Sequence, residues 1–289
     1  MKKKIISVIV GVAGLAAAYF VVSGISHIVY NRPVDNAATE STAETTEQGT
    51  EEAKAAMTED EINAMLAGMK ATETAETATE EQSEVIPVKF EELQAVNTDI
   101  YAWITVPGTV IDYPILQHAS DNTYYLMHNI DGSYGYPGCV YTENMNSKDF
   151  TDNNTVIYGH NMKNGSMFAQ LHKFEDPDFF NENREVLIYL PDEVLHYTIF
   201  AAHVYDDRHL LYSFDFTDPE VYQKYLDSIF STRDMSANID KDVTVTADDQ
   251  IITLVTCIGS QPNNRLLVQA VLTDREPGAE AAQSATTTE

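Results

Sequence analysis

The chain has 289 residues, with 45 Asp and Glu against 17 Lys and Arg, and a formal net charge of −28 at pH 7. That length suits one large domain with extensions, or two small domains. So acidic a chain carries no basic stripe to meet a phosphate backbone, which argues against nucleic acid as a partner.

Lys2, Lys3 and Lys4 precede an apolar stretch from Ile5 to about Tyr30, interrupted only by small residues and His27. The run is longer than the core of a cleavable signal peptide, and "SGISHIVYNRP" offers no clean cleavage site. Its length matches the ~20 residues that cross a bilayer. The reading is a retained signal-anchor over residues 1–30, single-pass, with a cytoplasmic lysine tip and everything after Asn31 outside the cell membrane.

Residues 31–84 carry 14 acidic against 3 basic side chains and no aromatic residue. A segment so poor in apolar surface cannot offset its ordering entropy, so a disordered acidic linker is expected. One island within it, "MTEDEINAMLAGMK", has a capping-box pair in Thr58 and Glu61, then Ile62, Met65, Leu66 and Met69 at helical spacing.

The ordered domain is expected over 85–274. "FEELQAVNTDIYAWITV" begins as an amphipathic helix and turns into a strand at Trp103. "GTVIDYPILQ" is a strand-like run with turn signals at Pro107–Gly108 and Tyr113–Pro114. "NNTVIYGHN" reads as a strand from Thr155 to Tyr158, and "SMFAQLHKF" as a short helix. "EVLIYLPDEVLHYTIFAAHVYD" reads as two strands about Pro191, Asp192 and Glu193. "DPEVYQKYLDSIF" is the strongest helix, with Asp218 at the N-cap, Pro219 in the first turn, and Val221, Tyr222, Tyr225, Leu226 and Ile229 on one face. The domain ends in "IITLVTCIGSQPNNRLLVQAVL", two apolar strands about a polar turn from Ile258 to Asn264. Many short strands with few helices predict a mainly β, closed or nearly closed barrel. The tail, residues 275–289, is again of low complexity.

Two cysteines raise the chemical question, because a thiol outside the cell is normally oxidised or used. Cys257 has three readings: buried filler, a disulfide with Cys139, or a nucleophile. A nucleophile needs a base to make the thiolate and a donor for the developing oxyanion. Arg265 lies one hairpin away. Of eight histidines, His160 stands apart: it ends the run "NTVIYGH" after a glycine and opens a polar loop, whereas His118, His128, His172, His196, His203 and His209 sit singly on helix or strand patterns. The spacing of His196, His203 and His209 suits no known ligand set, so no metal and no cofactor are expected.

"TLVTC" from Thr253 to Cys257, an arginine after it, and the histidine of "IYGHN" resemble a sortase, a membrane-anchored cysteine transpeptidase of Gram-positive bacteria. The likeness spans most of 88–273, and "WITVPGTVIDYPILQ" with "NNTVIYGHNMKNGSMFAQL" is similar to class B sortases in particular. It implies an eight-stranded sortase-type barrel, with the helix at 218–230 between the sixth and seventh strands and shaping a sorting-signal groove. It implies Cys257 as nucleophile, His160 as acid and base, Arg265 as stabiliser of substrate and oxyanion, and Thr256 lining the substrate site. The implied partners are surface proteins bearing an NPxTN-like sorting signal, cleaved after Thr, and an amine of a peptidoglycan precursor or cross-bridge. Val255, Ile258 and Cys139 depart from the family pattern, and Cys139 is expected as a buried free thiol. The alternatives are a pilin-polymerising sortase, for which residues 31–84 lack the expected lid motif, and a non-catalytic surface module with a Cys139–Cys257 disulfide.

Overall fold

The computed structural model describes residues 59–70 and 86–278. The expected signal-anchor, most of the acidic linker and the end of the tail lie outside the described residues. No described helix is long and apolar enough to cross a membrane.

Alternation of side chains along extended backbone decides which face of each strand is buried. In the cysteine strand β8 (Ile251–Ile258), the side chains of Ile252, Leu254 and Ile258 join Ile104, Ile157, Val268 and Ala270 in an inner cluster, while Ile251 and Val255 belong to a second cluster on the outer face. The strands therefore have two buried faces, and the apolar runs are near-continuous. Eight strands close a ring: β5 (Glu185–Tyr189), β1 (Ile100–Thr105), β2 (Asp112–Leu116), β3 (Val140–Thr142), β4 (Asn154–Tyr158), β8, β9 (Gln261–Pro277) and β6 (Glu193–Asp206), with β5 pairing back to β6. A two-residue strand, β7 (Asn238–Ile239), adds to the free part of β6 beyond β5. The eight-stranded barrel and the few helices agree with the expectation.

Helices cover the outer faces. Helix α1 (Glu59–Met69) buries Ile62 and Leu66, and α2 (Phe90–Val96) buries Phe90 and Leu93, in one cluster with Trp103, Leu116 and Tyr141. The helical island of the acidic segment is thus part of the folded unit. Short helices α3 (Pro177–Glu182) and α4 (Leu210–Ser213) follow. Helix α5 (Pro219–Phe230) starts as the sequence reads: the Asp218 carboxylate accepts from the N–H groups of Glu220 and Val221, with Pro219 in the first turn. It lays Tyr222, Tyr225, Leu226 and Ile229 on the outer faces of β4, β6, β8 and β9.

Three local expectations are corrected. Strand β1 begins at Ile100, three residues before Trp103. Pro114 lies within β2 opposite Trp103, where no turn forms. It is tolerated because β3 pairs with β2 only from Ile115 onward, so the edge beside Pro114 is vacant and needs no N–H. The turn between β8 and β9 is also shorter than expected, because Ile258 pairs with Gln261. Arg265 therefore sits inside β9 and not at its head.

Asp112 ties α1 to this framework. Its carboxylate accepts from the Trp103 indole at 2.8 Å, from the Thr105 hydroxyl at 2.8 Å and from the Lys70 ammonium at 2.7 Å. Asp112→Ala leaves the buried indole N–H without its partner and is expected to lower the unfolding free energy by about 1–3 kcal/mol, read as a lower urea midpoint at unchanged slope.

Candidate active site

Two pairings bring the three candidate residues to one rim. Strands β4 and β8 run parallel, with Tyr158 beside Val255, and the Gly159 N–H continues the ladder to the Val255 carbonyl at 3.1 Å. Two residues further on lie His160 and Cys257. Strands β8 and β9 run antiparallel, and Arg265 is the direct partner of Cys257. Val255 and Leu267, two residues inward along β8 and β9, share the outer cluster beneath α5, so Cys257 and Arg265 share that outer face at the barrel's end. Cys257 is exposed and a free thiol.

Gly159 is required where it stands. A Cβ there would come within 2.5 Å of the Phe168 ring, which packs in the inner cluster. The chain turns over that ring, and the Phe168 N–H bonds the His160 carbonyl at 2.9 Å. His160 is half-buried beside Tyr136, at 5.2 Å between ring centroids. Its Nε2 lies 2.7 Å from the Leu126 carbonyl, and a carbonyl only accepts, so Nε2 carries the hydrogen. The other ring nitrogen, Nδ1, is the one left to exchange a proton. Burial holds this imidazole below the ordinary histidine value, with the Leu126 bond as a smaller opposing effect. The Leu126 carbonyl is itself placed by Gly138 at φ +67°, where a Cβ would approach that oxygen to 2.8 Å.

Arg265 donates twice through Nη1, to the Pro262 carbonyl at 2.8 Å and the Asn264 carbonyl at 2.9 Å. A guanidinium has five N–H groups, so donors remain for a ligand at the rim. Thr256 lies beneath the rim and not along it. It is 2% exposed, on the inward phase of β8, and its hydroxyl donates to the Gly159 carbonyl at 2.9 Å. Strand alternation alone carries the signal that it faces away from its neighbour Cys257.

Sequence reasoning passed over Asn161, His172 and Glu175. Asn161 Nδ2 donates to the Cys257 carbonyl at 2.9 Å, and His172 Nε2 lies 3.1 Å from the same oxygen, with Glu175 on its other nitrogen at 2.8 Å. The disulfide alternative does not hold. Both thiols are free, β4 stands between β8 and β3, the strand that Cys139 immediately precedes, and buried Cys139 donates to the His128 carbonyl at 3.4 Å. Burial pushes its thiol well above the ordinary range, with Asp131 adding to the shift.

The model of the sortase domain family matches residues 104–273. The chain belongs to the sortase family. Sortase B of Listeria monocytogenes is 35% identical over 195 residues, which cover 67% of this chain and 76% of that protein. A crystal structure of sortase B from B. anthracis in complex with AAEK2 shares 31% identity over 76% of this chain and 99% of that one, with a TM-score of 0.61. A Staphylococcus aureus sortase B–substrate complex shares 27% identity over 64% of this chain and 85% of that one, with a TM-score of 0.57. This sortase is of class B, and its relatives make it a cysteine transpeptidase.

The lowered histidine of this sortase has a consequence for stability. Where the folded value lies below the unfolded one, the contribution is complete above about pH 6.5 and is lost as pH falls through the folded value. His203, also lowered by burial, behaves likewise. His160→Asn removes the contribution of His160 and leaves that of His203 in place. The unfolding free energy of the wild type is therefore expected to fall more steeply than that of the variant between pH 7 and pH 5, in parallel denaturant titrations.

Proposed function

We propose that this class B sortase cleaves a C-terminal sorting signal of the NPxTN-like kind after its Thr, and joins the new acyl group to an amine of cell-wall peptidoglycan. Residues 1–30 would hold it in the cell membrane with the barrel outside, residues 31–84 serving largely as spacer to the domain at 85–274. The observation that carries the reading is that three neighbouring strands bring an exposed thiol, a directly opposed guanidinium and a half-buried imidazole to one end of the barrel. A Staphylococcus aureus sortase B solved as a substrate complex supports a substrate-binding role for this fold.

Cys257 is the nucleophile. Its thiolate attacks the carbonyl carbon that follows the Thr side chain, and Arg265 donates hydrogen bonds to the oxyanion. As the tetrahedral species collapses, the peptide C–N bond breaks and the leaving amine takes a proton from His160. The acceptor amine then attacks the thioester carbon and gives a proton to His160, and the Cys257 thiolate leaves as the new amide forms. Burial of the imidazole works against its charged form, and so against the imidazolium that the step needs. Thr256 acts from below, by fixing the Gly159 turn that carries His160.

The test is a quenched peptide bearing the sorting motif, with and without an added amine acceptor. Cys257→Ala is expected to abolish cleavage, and persistence of cleavage removes the proposal. Arg265→Lys, which keeps charge but loses the planar fork, is expected to lower kcat by about 10²–10³ with a smaller effect on KM. Transfer to a lysine of a pilin subunit in place of a peptidoglycan amine would identify a pilin-polymerising enzyme instead.

A further inference from the structure

The carbonyl of Cys257 has an unusual place in the ladder. It points from β8 toward β4, as the Val255 carbonyl does, but β4 has ended and no backbone N–H arrives. Two side chains stand in for the missing donor. Asn161 Nδ2 donates at 2.9 Å, and His172 Nε2 lies at 3.1 Å. His172 and Glu175 belong to one 3-10 turn, Phe168–Glu175, where residues three apart eclipse, and His172 Nδ1 meets Glu175 Oε2 at 2.8 Å.

The protons around this group cannot all be placed in one way. Glu175 accepts, so Nδ1 carries a hydrogen in every state. Nε2 faces the Asn161 amide nitrogen at 3.0 Å and the Cys257 carbonyl at 3.1 Å at once. A lone pair on Nε2 suits the amide, whereas a hydrogen on Nε2 suits the carbonyl. The neutral ring therefore gives the carbonyl one donor, from Asn161, and the imidazolium gives it two. Glu175 on its own turn meets the ring directly, and Cys257 on β8, whose carbonyl the ring meets, has Arg265 across from it on β9. Lys173 is turned to the Gly108 carbonyl, and Asp176 caps α3.

We propose that His172, held by Glu175, is a positioning residue for the nucleophile. It supplies a proton-dependent second donor to the Cys257 backbone and, when protonated, a positive charge beside the thiolate. This rests on Cys257 as nucleophile. It adds to the chemistry at His160 a second ionisation that acts through the backbone of the attacking residue and touches no substrate.

The experiment uses the full chain and measures the alkylation rate of Cys257 against pH, with the labelled site mapped by mass. His172→Gln can keep an N–H donor without the charge. Its alkylation profile is expected to move to higher pH by on the order of half a unit, and kcat to fall more than KM changes. Glu175→Gln is expected to move the profile the same way by less. A His172→Gln profile that superimposes on the wild type, with only the thermal midpoint lowered, makes the pair a plain cap and overturns the proposal. If His172→Gln does not fold, an unmoved profile in Glu175→Gln overturns it equally. Alkylation reads the thiol whether or not it is the nucleophile, so the peptide assay on Cys257→Ala decides that question separately.

Discussion

The parallel pairing of β4 with β8 is the constraint on which the rim depends. Parallel neighbours end at the same side of a sheet, so residues that follow the two strand ends are brought level. His160 and Cys257 are level because Tyr158 pairs with Val255 and the Gly159 amide extends the ladder by one bond. The Thr256 hydroxyl locks that extension to Gly159 from inside the barrel. The antiparallel hairpin then needs only its register to set Arg265 opposite Cys257. Three side chains from two separate parts of the chain are thus fixed by backbone hydrogen bonds, before any contact among the side chains themselves.

The double burial of the strands gives this constraint its stiffness. The inner cluster and the outer cluster under α5 grip β8 from both faces along nearly its whole length, and only Cys257 emerges. Close packing on both faces leaves a strand little room to slip, since a slip of one residue would invert every side chain. An exposed nucleophile on an otherwise buried strand is therefore held at well-defined height, while the polar atoms that must reach substrate stay at the strand's end.

Much of this was legible in the sequence because local rules and the fold agree. Asp218 and Pro219 announce α5, the apolar run from Ile251 announces β8, and Gly159 before His160 marks a strand end. What escaped depended on partners that no local pattern names. Pro114 reads as a turn signal until the vacant edge of β2 is known. That the Thr256 hydroxyl holds the Gly159 carbonyl shows only once β4 and β8 are paired. His172 looked like one histidine among several, because its meaning comes from a carbonyl 85 residues away that the end of β4 leaves without a backbone donor. The helical island at 59–69 was visible by spacing, but its burial against Trp103 was not.

The orienting partner of His160 is a main-chain oxygen, that of Leu126, and this alters how the site would register in a survey of variants. A side chain at position 126 can change while the oxygen stays, so a substitution there registers through the packing of Leu126 on the cluster of Trp103 and Tyr141 and not through the bond itself. The dependence is displaced onto Gly138, whose missing Cβ lets the two segments touch, and onto Tyr125, whose hydroxyl is anchored to Asp99 at 2.7 Å. Tolerance at a position is then no measure of its distance from the chemistry. In this enzyme the oxygen that steadies the imidazole is kept in place from two neighbouring positions as well as from its own residue.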